Sequence, residues 1–165
     1  MTLNEYQKIA MRNSPSGHDR IRFGILGLIG MSGEMVDTVR KMEFWAKETS
    51  AYTGKIHDNV GDVLWYCAEL ATGLGTDLET AMLTNYKSAM RDGEIDDPLE
   101  KAVIRLAELS VKTYTYGLRR NDRRNMMICM RRIYATILRI LKIIHMDIQE
   151  VIRMNLQKQA DLIRS

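Results

Sequence analysis

The hydrophobic positions of this chain recur mainly at intervals of three and four residues, which is the period of an amphipathic helix. Short stretches rich in Gly, Ser, Asn or acidic residues separate these segments and break the helical pattern. The predicted helices cover residues 3–12, 20–48, 56–74, 78–89, 99–118, 122–146 and 147–164, with a loop at 49–54 and an acidic linker at 92–98. Scarce aromatics, abundant Met and only two Pro also favour helix over sheet. The pattern therefore predicts an all-α helical bundle.

The second predicted helix contains four regularly spaced glycines, namely Gly24, Gly27, Gly30 and Gly33. Glycine is unfavourable inside a helix, so its repeated use needs a compensating role. Because glycine has no side chain, it lets a neighbouring backbone approach closely. We expect these four residues to form a face against which another helix packs.

The second half of the chain repeats part of the first with a shift of 70 residues. This shift aligns 77–79 (Asp-Leu-Glu) with 147–149 (Asp-Ile-Gln), and Asn85 with Asn155. It predicts one helical domain, 1–165, built from a repeat at 1–95 and a degenerate, basic repeat at 96–165, as in a fused pseudo-dimer. The alternative is that two unrelated amphipathic helix pairs resemble each other.

Length and composition favour one compact, cytoplasmic domain. A chain of 165 residues that is 45% hydrophobic is long enough to bury a core. Its two cysteines, Cys67 and Cys129, lie within apolar helical patterns, and no secretory leader is evident, so we expect a reducing cytoplasm. Charges interrupt the apolar runs well before the roughly 20 residues that cross a bilayer, so no membrane association is expected.

The net charge of +3 is unevenly distributed. Residues 1–95 carry 10 basic and 13 acidic side chains, whereas residues 96–165 carry 14 basic and 8 acidic ones. A basic half suits phosphate-bearing ligands or nucleic acid, although a solvated basic helix face is the commoner explanation. Nucleic acid is not an expected partner.

Two segments carry the candidate chemistry. In the glycine-rich helix Glu34 follows Met31 by three residues, and in the next helix Asp62 follows Asn59 by three and precedes 63–66 (Val-Leu-Trp-Tyr). These segments resemble the signature of the MazG-like all-α nucleoside triphosphate pyrophosphohydrolases, which include the dimeric-type deoxyuridine triphosphatases. That signature is Glu-x-x-Glu on one helix and Glu-x-x-Asp on the next. Glu34 and Asp62 match it, whereas Met31 and Asn59 do not.

The resemblance implies a helical bundle that binds Mg²⁺ and cleaves a nucleoside triphosphate into a monophosphate and pyrophosphate. Glu34 and Asp62 would then be the catalytic metal ligands. A Met thioether is too soft for Mg²⁺, and Asn59 offers one neutral oxygen, so the site is expected to hold one weakly bound Mg²⁺ or none. A shifted metal site that adds Asp37 and Asp58 is an alternative, beside the simpler explanation that both are solvated helix charges.

Several further residues are candidate nucleotide contacts. Under the 70-residue shift Asn59 aligns with Cys129 and Asp62 with Arg132, close to five other arginines between 119 and 131. Guanidinium groups bind phosphate without a metal, although a basic helix start explains the cluster equally well. The complete set of predicted contacts is Lys41, Lys55, Tyr66, Asn85, Lys87, Arg132, Asn155 and Lys158.

Three functions remain open at this point. The first is a MazG-derived protein that binds or sequesters a phosphorylated nucleotide with weak or no hydrolysis, because its carboxylate quartet is incomplete. The second is an active Mg²⁺-dependent nucleoside triphosphate pyrophosphohydrolase. The third is a helical protein-interaction module without a ligand. A phosphorylated nucleotide is the expected partner, and assembly into a homo-oligomer is left open.

Overall fold

The structure is a computed structural model, and it describes residues 1–45, 48–85 and 98–164. These residues form an all-α bundle, as the hydrophobic period predicts. The helices are α1 (Leu3–Ala10), α2 (Arg20–Trp45), α3 (Ser50–Gly73), α4 (Leu78–Met82), α5 (Leu99–Tyr114), α6 (Arg123–Ile143) and α7 (Ile148–Arg164). A π-helical turn, Thr115–Arg119, follows α5. No helix in the described part is long and apolar enough to cross a membrane.

Polar side chains cap several helix starts. The Thr2 hydroxyl accepts a hydrogen bond from the Glu5 amide, and the Glu5 carboxylate accepts one from the Thr2 amide, which completes a capping box for α1. Asp77 caps α4 by accepting a hydrogen bond from the Thr80 amide at 2.8 Å. Asp122 caps α6 in the same way. These caps stabilise amide groups that no helical carbonyl can reach.

The predicted helix boundaries were furthest from the structure at three places. α3 begins at Ser50, inside the predicted 49–54 loop, because the amides of Tyr52 and Thr53 already donate to the Thr49 carbonyl. α4 ends at Met82 instead of continuing to residue 89; a turn follows, and residues 86–97, with most of the predicted acidic linker, lie outside the described part. The helix predicted at 99–118 gives way to the π-helical turn after Tyr114.

Apart from α1, the main contacts between helices follow a pattern that is unchanged when the two halves are exchanged. α2 packs on α3 in the first half and α5 packs on α6 in the second, while α2 and α5 pack on each other between the halves. The remaining helices cross over: α7 packs on α3 and α4 packs on α6. The apolar stripes of these helices form one buried core. As a result, α7 lies beside the predicted metal-ligand helix α3.

The links α3–α4 and α6–α7 have the same backbone geometry. At these links, the helix end and the next helix start in the second half lie 70 residues after those in the first, at 73 and 143 and at 78 and 148. Gly75 and His145 both adopt positive φ angles, of 65° and 56°. The amides of Thr76 and Met146 donate to Ala71 and Leu141 at 3.0 and 2.9 Å, which closes both helix ends alike. Descent of the halves from one duplicated unit remains a prediction.

Only two of the four α2 glycines face a neighbouring helix. A Cβ atom on Gly24 would lie 3.1 Å from the α3 backbone, and one on Gly27 would lie 2.2 Å from the ring of Tyr66. Gly30 and Gly33 have open space around them, so the prediction was wrong for these two. Each residue advances about 100° around a helix, so three residues advance about 300°, which is about 60° short of a full turn. Successive glycines are therefore rotated by about 60° from one another. Gly33 therefore lies on the opposite side of α2 from Gly24.

Candidate functional site

A cleft of about 420 Å³ opens where α2, α3 and α7 meet, beside both candidate segments. We call it the aromatic cleft. Asp62 and Lys158 form its charged end, and its walls are mainly aromatic and aliphatic. The residues that line it are Asn13, Pro15, Phe23, Met31, Asp62, Trp65, Tyr66, Lys158, Gln159, Leu162 and Ile163.

Three edge-to-face aromatic rings build one wall of the aromatic cleft. The ring centroid of Tyr66 lies 5.2 Å from that of Trp65 and 5.6 Å from that of Phe23. Tyr66 can take this place because Gly27 leaves room for its ring against α2. The pKa of the Tyr66 hydroxyl is raised, mainly by partial burial and to a lesser extent by the negative charge of Asp62. The side chain is therefore neutral at physiological pH. Such a wall can stack against a planar ring.

The carboxylate of Asp62 is held by an ion pair with α7. The Lys158 Nζ atom lies 2.7 and 2.9 Å from its two oxygens. The side-chain nitrogen of Asn155 also donates to Asp62 at 3.3 Å. The side-chain oxygen of Asn155 accepts a hydrogen bond from the buried Tyr6 hydroxyl at 2.8 Å. Gly61 allows this arrangement, since a Cβ atom there would lie 3.1 Å from Asn155. The lysine, rather than a metal ion, compensates the charge of Asp62 in this arrangement.

The other candidate carboxylates on α2 are also paired with cations. Glu34 lies 3.4 Å from the Nζ atom of Lys55. Asp37 binds Lys41 at 2.7 Å and Arg40 at 2.6 Å. Hydrogen bonds from these two side chains lower the pKa of Asp37 below its usual value. With Lys158, three of the lysines predicted to contact the nucleotide are therefore ion-paired with carboxylates predicted to bind metal.

Asn59 and Asp58 do not complete a metal site. Asn59 is buried between α2 and α3; in the orientation that satisfies its amide, it donates to the Lys55 carbonyl at 3.2 Å and accepts from the Met35 amide at 3.3 Å. Asp58 is half-exposed, and its carboxylate lies 3.9 Å from the Nδ1 atom of His57. No group of three or more acidic, His or Cys side chains in the described ranges converges on one point. These residues do not fit the Mg²⁺ site that the resemblance implies.

The predicted nucleotide contacts fall into separate groups. Tyr66 and Lys158 line the aromatic cleft, together with the predicted metal ligand Asp62. Asn155 is buried behind Asp62 and supports its carboxylate. Asn85 lies in the turn after α4 and Arg132 lies on α6, and neither lines the cleft; Lys87 lies outside the described residues. Two of the eight predicted contacts are thus placed to meet a ligand in this cleft.

Several arginines of the second half serve the fold. Arg123 donates to the Leu74 carbonyl at the C-terminal end of α3, where a cation also complements the helix dipole. The Arg120 guanidinium lies over the Tyr116 ring, 5.9 Å from its centroid. The cluster around residues 119–132 therefore does not supply the charge of the aromatic cleft.

A buried charged cluster beside the cleft was missed in the sequence. The Glu69 carboxylate is fully buried, pairs with Arg20 at 2.7 Å and accepts a hydrogen bond from the Ser14 hydroxyl. His18 lies 3.5 Å from the same carboxylate. The sequence could have indicated its position through spacing alone. Glu69 follows Asp62 by seven residues, which is about two helical turns, so both lie on the same side of α3. The cluster anchors the loop between α1 and α2, which forms the rim of the cleft.

A smaller cavity of about 200 Å³ adjoins the cleft along the groove between α3 and α7, and we call it the His57 cavity. Lys158 lines both spaces, and Asp58 lines the cavity together with His57 and Asn155. The His57 side chain is almost fully buried, and its Nε2 atom has no hydrogen-bond partner in the described part of the chain. A ligand that reaches past Lys158 would enter this cavity.

No family model, curated protein or solved structure matches this chain. The geometry of the cleft and the resemblance of the two segments are therefore the features from which a function can be inferred.

Proposed function

We propose that this chain is a MazG-derived protein that binds a phosphorylated nucleotide and hydrolyses it weakly or not at all. One observation carries the proposal: an aromatic-walled cleft lies at the two candidate segments, and its carboxylate is bound to a lysine. The wall of Phe23, Trp65 and Tyr66 offers a surface for a base. Lys158 offers a cation for a phosphate.

The chemistry of the charged end argues against efficient hydrolysis. Pyrophosphohydrolysis in the family would need Mg²⁺ to neutralise the phosphates and to activate a water molecule. Asp62 could bind Mg²⁺ only by giving up its contacts with Lys158, and Glu34 only by leaving Lys55. Met31 stands in the cleft where the family signature has a carboxylate. Binding that uses Lys158 directly requires none of these changes.

Calorimetric titration with a panel of nucleotides, in EDTA and in Mg²⁺, tests the proposal when product release is followed by chromatography. We expect binding in EDTA and little turnover in either condition. Tyr66→Leu removes a stacking surface, and base stacking contributes roughly 1–3 kcal/mol, so affinity should fall about 5- to 150-fold. Tyr114→Leu is the matched control, because Tyr114 is partly exposed on α5 and does not line the cleft.

Two outcomes would contradict the proposal in different ways. Rapid Mg²⁺-dependent release of pyrophosphate, abolished by Asp62→Ala, would establish an active pyrophosphohydrolase instead. Absence of nucleotide binding in both conditions would exclude both functions and leave a protein-interaction module. Equal losses from Tyr66→Leu and Tyr114→Leu would show that the aromatic wall is not the binding surface.

A further inference from the structure

The charges around the aromatic cleft limit how many phosphate groups a bound ligand can carry. Among the described residues, Lys158 is the one Lys or Arg side chain that lines the cleft or the adjoining His57 cavity. Asp62 and Asp58 line the same two spaces with negative charge. Without a metal ion, the charged lining is thus one cation against two carboxylates. A triphosphate would bring three or more negative charges to this lining, and uncompensated charge is costly away from water.

Lys158 can nevertheless contact one phosphate group without leaving Asp62. Its ammonium group has three donors, and the two oxygens of Asp62 use at most two of them. The side chain is almost half-exposed, so the remaining donor is accessible to a ligand. Asp62 then acts as a positioning residue that holds Lys158 between the cleft and the cavity. This role is the reverse of the metal-ligand role that the resemblance implies.

The His57 cavity offers space for a phosphate group beside the same lysine. Its volume is about 200 Å³, and Lys158 and Asn155 are among the residues that line it. The Nε2 atom of His57 has almost no accessible surface in this arrangement, so the phosphate would contact Lys158 and not this nitrogen. A ligand whose base occupies the aromatic cleft would place its phosphate near this cavity.

We propose that the ligand is a nucleoside carrying a single phosphate group, with its base against Tyr66 and its phosphate on Lys158. This inference rests on the proposed function, because it specifies which nucleotide the cleft binds. It predicts that a monophosphate binds more tightly than either the free nucleoside or the triphosphate when no divalent metal is present.

The test compares the four common ribonucleosides, their 5′-monophosphates and their 5′-triphosphates by calorimetry in EDTA. For the preferred base, we expect the monophosphate to bind roughly 10-fold or more tightly than the nucleoside, as a charge-assisted contact allows. Lys158→Met should reduce the ratio of monophosphate affinity to nucleoside affinity to near one. Arg153→Met is the matched control, since it removes a cation from an exposed position on the same helix and should leave the ratio unchanged.

The possible outcomes separate this inference from the proposed function. Tighter binding of the triphosphate than of the monophosphate in EDTA would overturn the inference while leaving nucleotide binding intact. A monophosphate-to-nucleoside ratio that survives Lys158→Met would overturn it as well. If Lys158→Met does not fold, the affinities of the unmodified protein for nucleoside, monophosphate and triphosphate still decide how many phosphates the ligand carries. Absence of binding by every compound would overturn the inference and the proposed function together.

Discussion

Alanine substitutions at Gly27 and Gly30 should change stability in opposite directions, although both glycines lie on α2 and only three residues apart. At Gly27 a new Cβ atom would lie 2.2 Å from the Tyr66 ring, far inside van der Waals contact. At Gly30 it would meet nothing within 4 Å. The chemical change is the same, so the comparison isolates the close approach of Tyr66 to α2.

The expected magnitudes follow from two effects. Replacing glycine by alanine inside a helix contributes about 0.8–1 kcal/mol of stability, and Gly30→Ala should show this gain in full. Gly27→Ala has the same gain, but overpacking typically costs about 1–3 kcal/mol. Its net effect should range from near zero to about 2 kcal/mol of destabilisation. The Tyr66 ring cannot simply rotate away, because its Cγ atom would also lie 2.4 Å from the new Cβ atom.

Urea unfolding followed by circular dichroism measures the difference directly. The two variants should differ by about 1–3 kcal/mol in the free energy of unfolding, with similar m-values if the unfolded states are alike. For a chain of this length, a change of about 1 kcal/mol in the free energy of unfolding corresponds to a change of roughly 2–4 °C in Tm. Gly27→Ala should also weaken ligand binding, because the displaced Tyr66 ring belongs to the wall of the aromatic cleft.

Equal stabilisation by both substitutions would refute this reasoning. It would mean that Tyr66 does not lie against Gly27, and that the aromatic cleft has a different shape. Gly33→Ala provides a second control, since Gly33 also has open space around it. Measurement at two protein concentrations would reveal any contribution from self-association at the exposed Gly30 and Gly33 positions.

Three further predictions concern buried and capping side chains. Asn59→Glu introduces the carboxylate that the MazG-like signature has at this place, but in a buried position, so the free energy of unfolding should fall by roughly 2 kcal/mol or more in urea titrations, and no hydrolysis should appear. Glu69→Gln removes the buried partner of Arg20 and should cost about 1.5–3 kcal/mol in the same assay; an unchanged midpoint would contradict the buried pair. Hydrogen bonds from Thr80 lower the pKa of Asp77, so its stabilising contribution is present above the unfolded pKa of about 3.9 and is lost as pH falls through the lower folded value. Asp77→Asn should keep the cap but weaken this pH dependence of Tm between pH 5 and 2, and an unchanged acid profile would show that Asp77 does not contribute to it.

The helices were predictable because each buries an apolar stripe whose period is local in the sequence. The same local signal places Glu34 and Asp62 on the adjacent helices α2 and α3. It cannot show which cation reaches a carboxylate from a distant part of the chain. Lys158 lies 96 residues after Asp62, and only the packing of α7 on α3 brings them together. The pattern therefore identified a candidate carboxylate but not its partner.

Other errors arose where local rules compete. Ser and Thr residues around 49–53 are typical of loops, yet hydrogen bonds to the Thr49 carbonyl extend α3 through them. The glycine spacing predicted one packed face, whereas the helical twist divides these residues between a packed side and an open one. Burial of Glu69 depends on Arg20 and Ser14 from a different segment, so spacing alone could suggest only its side of α3.

The crossing of α7 onto α3 has a consequence for how this protein can vary. The aromatic cleft takes its wall from the first half and its cation from the second, so neither half contains a complete site. A cut or an exchange between the halves would separate Asp62 from Lys158 even if each half kept its helices. Substitutions in α7 therefore act on a cleft whose other residues lie in the first half, and under the proposed function the two halves would have to change together.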